Sequence, residues 1–257
     1  PAAIQQILDF SMPEGKHQMC IVRGADRAVS LNAGFKALGG IETYIKPGDR
    51  VLIKGNAAFA SPPILGATSH PDLVAALVQS CRQAGAAQVR VTDNSINDPA
   101  SCFALTGIGP AALAAGADVV LPQSQHFHPV TVKSARLIRQ WPVLYAPFNG
   151  INKLIGTAPV KDHHRSGASL TIKNWYGLLG GRRNIFHQQI HQIIYELAQM
   201  VRPTLVVLDG TQSMVSNGPT GGALADLKPT ETLIISTDQV AADAYGARLL
   251  EKAPEDL

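Results

Sequence analysis

The chain has 257 residues, of which 46% are hydrophobic, 16% are charged and 5% are aromatic, and its formal net charge is +3. This composition argues against wholesale disorder, and the length suffices for a large α/β domain with a buried core. The net charge is too small to indicate a nucleic-acid-binding protein, and no apolar run reaches the roughly 18 residues of a membrane span.

In the first half of the chain, short apolar runs alternate with helical patterns. Ser30 is the expected N-cap of a helix that ends at Gly39 and Gly40. The predicted strands are Met19–Val22, Arg50–Lys54, Gln88–Thr92 and Asp118–Leu121. The predicted helices are Ser30–Leu38, Asp72–Ala84 and Pro110–Ala115.

The second half continues this alternation after a long irregular stretch. Its predicted extended runs are Val130–Val132, Val143–Ala146, Leu170–Lys173, Thr204–Leu208 and Thr232–Ser236. Its predicted helices are Asn184–Val201, which is the longest, and Gln239–Lys252, which closes the chain. Runs such as LVVL and LIIS are continuously apolar, which is typical of strands buried on both faces.

This order predicts an α/β fold with a mostly parallel sheet and helices on both faces. We expect a single domain over residues 1–257, in which residues 123–183 form a loop-rich insertion or cap. The net charge between Lys153 and His187 is +5, whereas the rest of the chain carries −2. Such a local positive field fits a small anionic molecule better than a nucleic acid.

Polar residues follow four of the predicted strands. Ligands of parallel α/β proteins bind at the carboxyl ends of the strands, so these residues are candidates for a site. The residues at or just after the ends of these four strands are Lys54, Asn56, Asp93, Asn94, Asp209, Gly210, Thr237 and Asp238. Asp and Asn after a strand are also ordinary turn formers and helix caps, as Asp238 is expected to be. Lys54 is the stronger candidate because lysine is not a turn former.

The glycine-rich stretch Asn217–Gly222 has two interpretations. Its backbone N–H groups could hold an anion, or it is a flexible connection. It contains neither of the two glycine-rich motifs that bind nucleotides.

The histidines offer one possible metal site, and the cysteines offer no local metal or redox site. His187 and His191 are four residues apart in a predicted helix, which allows both to bind one metal, although Gln188 replaces the glutamate of a metalloprotease motif. His70 belongs either to a helix start or to a site. The three cysteines, Cys20, Cys81 and Cys102, lie far apart in the sequence and form no C-x-x-C motif. We therefore expect no zinc or iron–sulfur site built from neighbouring cysteines.

Several motifs, in order, resemble the family described as domain of unknown function 362. They are VLIKGN at Val51–Asn56, SHPDLVAALV at Ser69–Val78, AGAAQVRVTD at Ala84–Asp93, SLTIKNWYGLLGG at Ser169–Gly181, VRPTLVVLDG at Val201–Gly210, NGPTGG at Asn217–Gly222 and STDQVAADA at Ser236–Ala244. The resemblance covers roughly Val51 to Tyr245 and implies an α/β fold in a family without a settled activity. Some relatives join this domain to ferredoxin-type iron–sulfur modules, which this chain lacks, and some carry export signals.

The resemblance also implies one shared site. Its members here are Lys54, Asn56, His70, Asp93, Lys173, Asn174, His187, Asp209, Asn217 and Asp243. Together with the basic segment, they favour an enzyme acting on a small anionic substrate. The expected catalytic residues are Lys54, Lys173, His187 and Asp209. The expected substrate-binding residues are Asn56, His70, Asp93, Asn174, Arg183, Asn217, Gly218 and Asp243.

In this hypothesis Lys54, Lys173 and Arg183 bind the anion. A desolvated Lys54 or Lys173 is the base or electrophile, His187 is its acid–base partner, and Asp93 or Asp209 orients that histidine.

Two other functions remain open. One is an accessory subunit of an iron–sulfur or electron-transfer system without its own cluster, and the other is a metal-dependent hydrolase. The reaction and any cofactor are unknown from the sequence. The chain begins at Pro1, so the compartment is also open: cytoplasmic or, if an export signal preceded this residue, periplasmic.

Overall fold

The computed structural model describes residues 8–13 and 18–256. The strands are β1 (Leu8–Asp9), β2 (Met19–Arg23), β3 (Arg50–Lys54), β4 (Gln88–Thr92), β5 (Asp118–Val120), β6 (Phe127–Val130), β7 (Trp141–Leu144), β8 (Lys153–His163), β9 (Gly167–Ser169), β10 (Val201–Arg202), β11 (Leu205–Met214) and β12 (Leu227–Ser236). The α-helices are α1 (Arg27–Ala37), α2 (Pro71–Gln83), α3 (Pro99–Leu105), α4 (Ile108–Ala114), α5 (Thr171–Asn174), α6 (Ile190–Met200) and α7 (Gln239–Leu249).

The central sheet has the strand order β2-β12-β11-β8-β3-β4-β5, and β9 pairs with the end of β8. Strands β11, β8, β3, β4 and β5 pair in parallel, whereas β12 is antiparallel to both of its neighbours. The predicted α/β fold with a mostly parallel sheet is therefore confirmed. In the described part of the chain, no helix is long and apolar enough to cross a membrane.

Each face of the sheet supports its own hydrophobic core. Leu52, Leu154 and Val206 belong to the core that contains residues of α5, α6 and α7, and we call this side the α6 face. The alternate residues Ile53 and Ile155 belong to the core that contains residues of α1, α2 and α4, on the side we call the α2 face. Because side chains alternate along a strand, a polar residue at a strand end lies on one face or the other, and its position in the register decides which.

The segment 123–183 differs from its prediction as an insertion or cap. It contains β8, which lies between β11 and β3 at the centre of the sheet. The pattern hid this strand because Gly156, Thr157 and Pro159 interrupt its apolar run. The remainder includes the antiparallel pair of β6 with β7, β9 and α5. We retain the single-domain assignment over 1–257 as a proposal.

Two other predicted elements differ in kind. The prediction of an extended run at Leu170–Lys173 is wrong because the Asp243 carboxylate accepts the backbone N–H groups of Thr171 and Ile172 and starts helix α5 there. The single long helix predicted from Asn184 is a 3₁₀ segment, Arg183–Gln189, followed by α6.

Two differences in the first half concern helices. Helix α1 begins earlier than predicted, with Asp26 rather than Ser30 as its N-cap, and α3 was not predicted.

Glu196 fastens a surface loop to α6. Its carboxylate is fully buried and accepts backbone N–H groups from Arg136 at 2.7 Å, Leu137 at 3.0 Å and Ile138 at 2.8 Å. The Gln192 side chain donates a further hydrogen bond at 2.8 Å. The buried acid thus satisfies three consecutive backbone donors that would otherwise lack a partner.

We expect Glu196→Ala to lower the free energy of unfolding by about 3 kcal/mol, because it leaves these buried N–H groups unpaired. Denaturant unfolding measures the change, with Glu255→Ala at an exposed position as the matched control. A loss below about 1 kcal/mol, the usual range for surface substitutions, would contradict this role.

Candidate functional site

A cavity of about 90 Å³ lies beyond the carboxyl ends of β3, β4 and β8, where parallel sheets bind ligands. It has room for a ligand of a few heavy atoms. We call it the lysine cavity. Its titratable lining residues are Lys54, Asp93, Lys161, His163, Lys173, Tyr176, Arg183 and His187.

A buried ion pair forms the base of this cavity. Lys54 Nζ lies 2.6 Å from Asp93 Oδ1, and the two side chains are only 1% and 2% exposed. The same ammonium donates to the carbonyl of Gly55 and to Asn174 Oδ1, both at 2.9 Å. Burial lowers the pKa of Lys54, and the charge of Asp93 opposes that shift. Two hydrogen bonds and the ion pair thus occupy this buried ammonium, which leaves little of it for the predicted contact with a substrate anion.

Asn174 ties α5 to this pair. Its Oδ1 also accepts from Asn56 Nδ2 at 3.1 Å, and its Nδ2 donates to the Thr157 carbonyl at 3.0 Å. Gly177 covers the pair so closely that a Cβ there would lie 2.1 Å from Asp93 Oδ1 and 2.5 Å from Lys54 Nζ. The motif Lys173-Asn174 followed by Gly177 is therefore shaped around a buried charge pair.

Two further lysines have no carboxylate partner among the described residues. Lys161 is 1% exposed and donates to the Ala67 carbonyl at 2.7 Å, while its Nζ lies 5.4 Å from the centre of the Phe59 ring. Burial, with the charge of Lys173, lowers the pKa of Lys161 to about 7.

Lys173 Nζ lies 5.5 Å from the centre of the Tyr176 ring. Burial and then the charge of Arg183 lower the pKa of Lys173 to about 8. Both ammonium groups can therefore lose a proton near neutral pH.

His187 has a defined proton position. The Tyr176 hydroxyl donates its hydrogen to the Arg183 carbonyl, so it can only accept from His187 Nδ1, 3.2 Å away. The Asn184 carbonyl, 3.2 Å from the same nitrogen, is also an acceptor. The neutral ring thus carries its hydrogen on Nδ1 and leaves Nε2 unprotonated. Burial and the charge of Lys173 lower the pKa of His187, which favours this neutral form.

His163 also lines the lysine cavity, although the sequence analysis did not place it among the catalytic or substrate-binding residues. Its ring stacks on His187 with centroids 6.0 Å apart, and its Nδ1 accepts backbone N–H groups from Arg165 and Ser166. Burial, together with the charge of Lys173, lowers the pKa of His163 to about 2, so this ring stays neutral.

Arg183 clamps the backbone around the cavity. Its Nη1 donates to the carbonyls of Tyr176 and Leu179, and its Nη2 to those of Asn94 and Ser95, at 2.8–3.2 Å. These four bonds use both Nη groups, so Arg183 supplies positive charge to the cavity without the free fork that its predicted anion-binding role requires.

Seven of the twelve predicted site residues line the lysine cavity: Lys54, Asn56, Asp93, Lys173, Asn174, Arg183 and His187. The five that do not are His70, Asp209, Asn217, Gly218 and Asp243. Asn217 instead donates to Asp226 at 2.6 Å, and Gly218 packs on the backbone of Asp162. Asp243 caps α5, and burial raises its pKa to about 6.

The register of the sheet explains why Asp209 does not line the lysine cavity. Asp209 pairs with Pro159 of β8, whereas Lys54 pairs with Gly156. Paired residues share a face, and positions three apart along one strand face opposite ways. Lys54 is therefore on the α6 face and Asp209 on the α2 face, where its Oδ2 lies 2.7 Å from Arg27 Nε. The expected pairing of Asp209 with His187 is not formed.

Within residues 8–13 and 18–256, no three His, Cys, Asp or Glu side chains are grouped to hold a metal ion. His191, which was predicted to share a metal with His187, is exposed on α6. The three cysteines are free thiols.

Comparison with known proteins gives a family match. A model of the family described as domain of unknown function 362 matches residues 51–248. A thylakoid-associated protein of Synechocystis sp. is 24% identical over 233 residues, which cover 88% of this chain and 70% of that protein.

Solved structures resemble the chain more distantly. The lactate racemase apoprotein from Thermoanaerobacterium thermosaccharolyticum aligns with a TM-score of 0.47 and 10% identity, over 94% of this chain and 60% of that one. A protein from Thermotoga maritima aligns with a TM-score of 0.42 and 12% identity, over 89% of this chain and 58% of that one. The chain therefore spans about 60% of the length of these structures.

We expect Lys54→Met to destabilise the protein by about 3–5 kcal/mol, because it leaves the Asp93 carboxylate buried without its counter-charge. Lys161→Met is the matched control: it removes a buried ammonium that has no carboxylate partner among the described residues, and we expect a loss below about 1 kcal/mol at pH 8. Urea unfolding of both variants measures the difference. Equal losses would show that the Lys54–Asp93 pair has no special structural role.

Proposed function

The chain belongs to the family described as domain of unknown function 362, and we propose that it is an enzyme that binds a small anion in the lysine cavity and transfers a proton to or from it. One observation carries the proposal: Lys161 and Lys173 line one small cavity, and no carboxylate among its described lining residues is left to pair with them.

The charge balance of the cavity supports binding of an anion. Its cations are Lys54, Lys161, Lys173 and Arg183, and Asp93 is the one carboxylate among the described lining residues. Asp93 is already paired with Lys54. Burying the other positive charges without a partner costs free energy, as the lowered pKa values of both lysines reflect. A bound anion would offset that cost and raise both pKa values.

The pKa values also support proton transfer. With the pKa of Lys161 at about 7 and that of Lys173 at about 8, one amine can be neutral while the other is charged near neutral pH. The charged amine would hold the anionic group, and the neutral amine would act as the base. His187 Nε2 is a further proton acceptor, held in place through Nδ1.

The size of the cavity limits the substrate. A volume of about 90 Å³ suits a small carboxylate or phosphate rather than a nucleotide. The two alternatives, an accessory subunit of an iron–sulfur system and a metal-dependent hydrolase, stay predictions.

Binding of inorganic sulfate should weaken as the pH rises. Each lysine is charged below its lowered pKa, so attraction is full at pH 6 and is lost as the pH passes through about 7 and 8. We expect the Kd, measured by calorimetry, to increase at least about tenfold between pH 6 and pH 9. Lys161→Met and Lys173→Met should each weaken binding at pH 6, whereas Lys133→Met at an exposed position should not. A Kd that is independent of pH would contradict the anion site.

Proton transfer is tested separately by exchange in D₂O. Small carboxylates and phosphate esters are incubated with the protein, and NMR follows the replacement of their C–H hydrogens by deuterium. We expect exchange in at least one of these compounds, reduced at least about tenfold in Lys161→Met and Lys173→Met and unchanged in Lys133→Met. Exchange that survives in both variants would place the base elsewhere. If none of the compounds exchanges, the proposed proton transfer is rejected, whereas the anion site is still supported by sulfate binding.

A further inference from the structure

A second cavity, of about 440 Å³, opens beside the C-terminal halves of β8 and β11, at Pro159, Asp209 and Gln212. Its lining includes Asp209, Arg27 at the start of α1 and His70 just before α2. Asp209 and both helices lie on the α2 face, whereas Lys54 lies on the α6 face, and the two cavities share no lining residue. We call it the arginine cavity.

The floor of this cavity has a free guanidinium edge. Arg27 Nε donates to Asp209 Oδ2 at 2.7 Å, and the two side chains are 15% and 4% exposed. Asp209 Oδ1 accepts the backbone N–H of Thr211 at 2.9 Å, which holds the carboxylate in place. Among the described residues no acceptor contacts either Nη group of Arg27, so the planar pair of N–H donors that suits a carboxylate is open.

His70 adds a donor beside this edge. Its Nδ1 accepts the backbone N–H of Asp72 at 3.3 Å, which leaves the hydrogen of the neutral ring on Nε2. Burial, with the charge of Arg27, lowers the pKa of His70 and favours the neutral ring.

Thr68 provides an independent indication of a ligand. Thr68 lines the cavity and is 4% exposed, and its buried Oγ1 has no hydrogen-bond partner among the described residues. A buried hydroxyl without a partner costs free energy and is rare in native proteins. Rotation of the Thr68 side chain about χ1 would bring this hydroxyl to a polar ligand in the cavity, which would supply the missing hydrogen bond.

Apart from Gln212, the rest of the lining is apolar. Ile64 is 65% exposed and Leu224 is 59% exposed, so both side chains present apolar surface at the cavity. Leu227 lies between them and the backbone of Gly66, where a Cβ would lie 2.9 Å from Leu227 Cδ2. The cavity therefore joins a polar floor to an apolar lining.

We propose that the arginine cavity binds a monocarboxylate with an apolar body of several carbons. The carboxylate would lie on the free Arg27 edge, with the Thr68 hydroxyl and His70 as further partners. The open Nη donors of Arg27 match the two oxygens of one carboxylate, and the Arg27–Asp209 pair leaves no excess positive charge that would favour a more highly charged anion. The volume lies within the range of about 300–1,000 Å³ that is typical of small-molecule sites. This proposal does not depend on the function of the lysine cavity.

Hexanoate is the probe, and calorimetry on the whole chain measures its Kd, with hexanamide and inorganic sulfate as comparison compounds. We expect saturable hexanoate binding and at least tenfold weaker binding of hexanamide, and sulfate, which we expect in the lysine cavity, should not displace hexanoate. Arg27→Gln should weaken hexanoate binding at least tenfold, and Arg248→Gln, the same change at an exposed position, should leave it unchanged.

Thr68→Val keeps the proposal falsifiable if Arg27→Gln fails to fold. It removes a hydroxyl that makes no bond in the described structure, so the fold should be kept while hexanoate binding weakens at least threefold. Lys173→Met should leave hexanoate binding unchanged, which separates this cavity from the lysine cavity. The proposal is overturned by the absence of saturable hexanoate binding, by equal binding of hexanamide, by an unchanged Kd in Thr68→Val, or by loss of binding in Lys173→Met.

Discussion

The buried ion pair between Lys54 and Asp93 is the interaction on which the candidate site depends. It joins the ends of β3 and β4, and through Asn174 it holds α5 against both. Because Gly177 covers the pair without a side chain, the turn after α5 can close over it. The positions of Lys173 and of the cavity follow from this arrangement, since a buried charge tolerates little displacement from its partner.

The alternation of side chains along the strands separates two chemical environments at one sheet edge. Beyond the ends of β3, β4 and β8, lysines without carboxylate partners among the described residues surround a small cavity. On the α2 face, Arg27 is balanced by Asp209 beside a larger and more apolar cavity. The segment 66–70 contacts both: the Ala67 carbonyl accepts from Lys161, and the next residue, Thr68, lines the arginine cavity. The two cavities are therefore neighbours that share this segment, but they have no lining residue in common.

Much of the fold could be predicted because strands and helices follow from local apolar patterns. Strands β3 and β4 have the predicted bounds, and Lys54 and Asp93 lie at the predicted sheet edge. Strand β8 was missed because its interior contains Gly156 and Pro159, and with it Lys161 was missed. Glu196 gave no signal either, since an acid beside an apolar stripe is usually exposed, and only the loop packed on α6 makes it an anchor.

The sequence by itself determined the α/β architecture, the edge where polar residues collect and the local excess of positive charge, because these depend on residues close together in the chain or on simple counts. Only the tertiary structure decided that Lys54 is a buried ion-pair partner, that Arg183 binds backbone carbonyls and that Asp209 faces away from His187. Register across the sheet sets which face a side chain occupies, and burial sets its charge, and neither quantity is encoded in a short stretch of sequence.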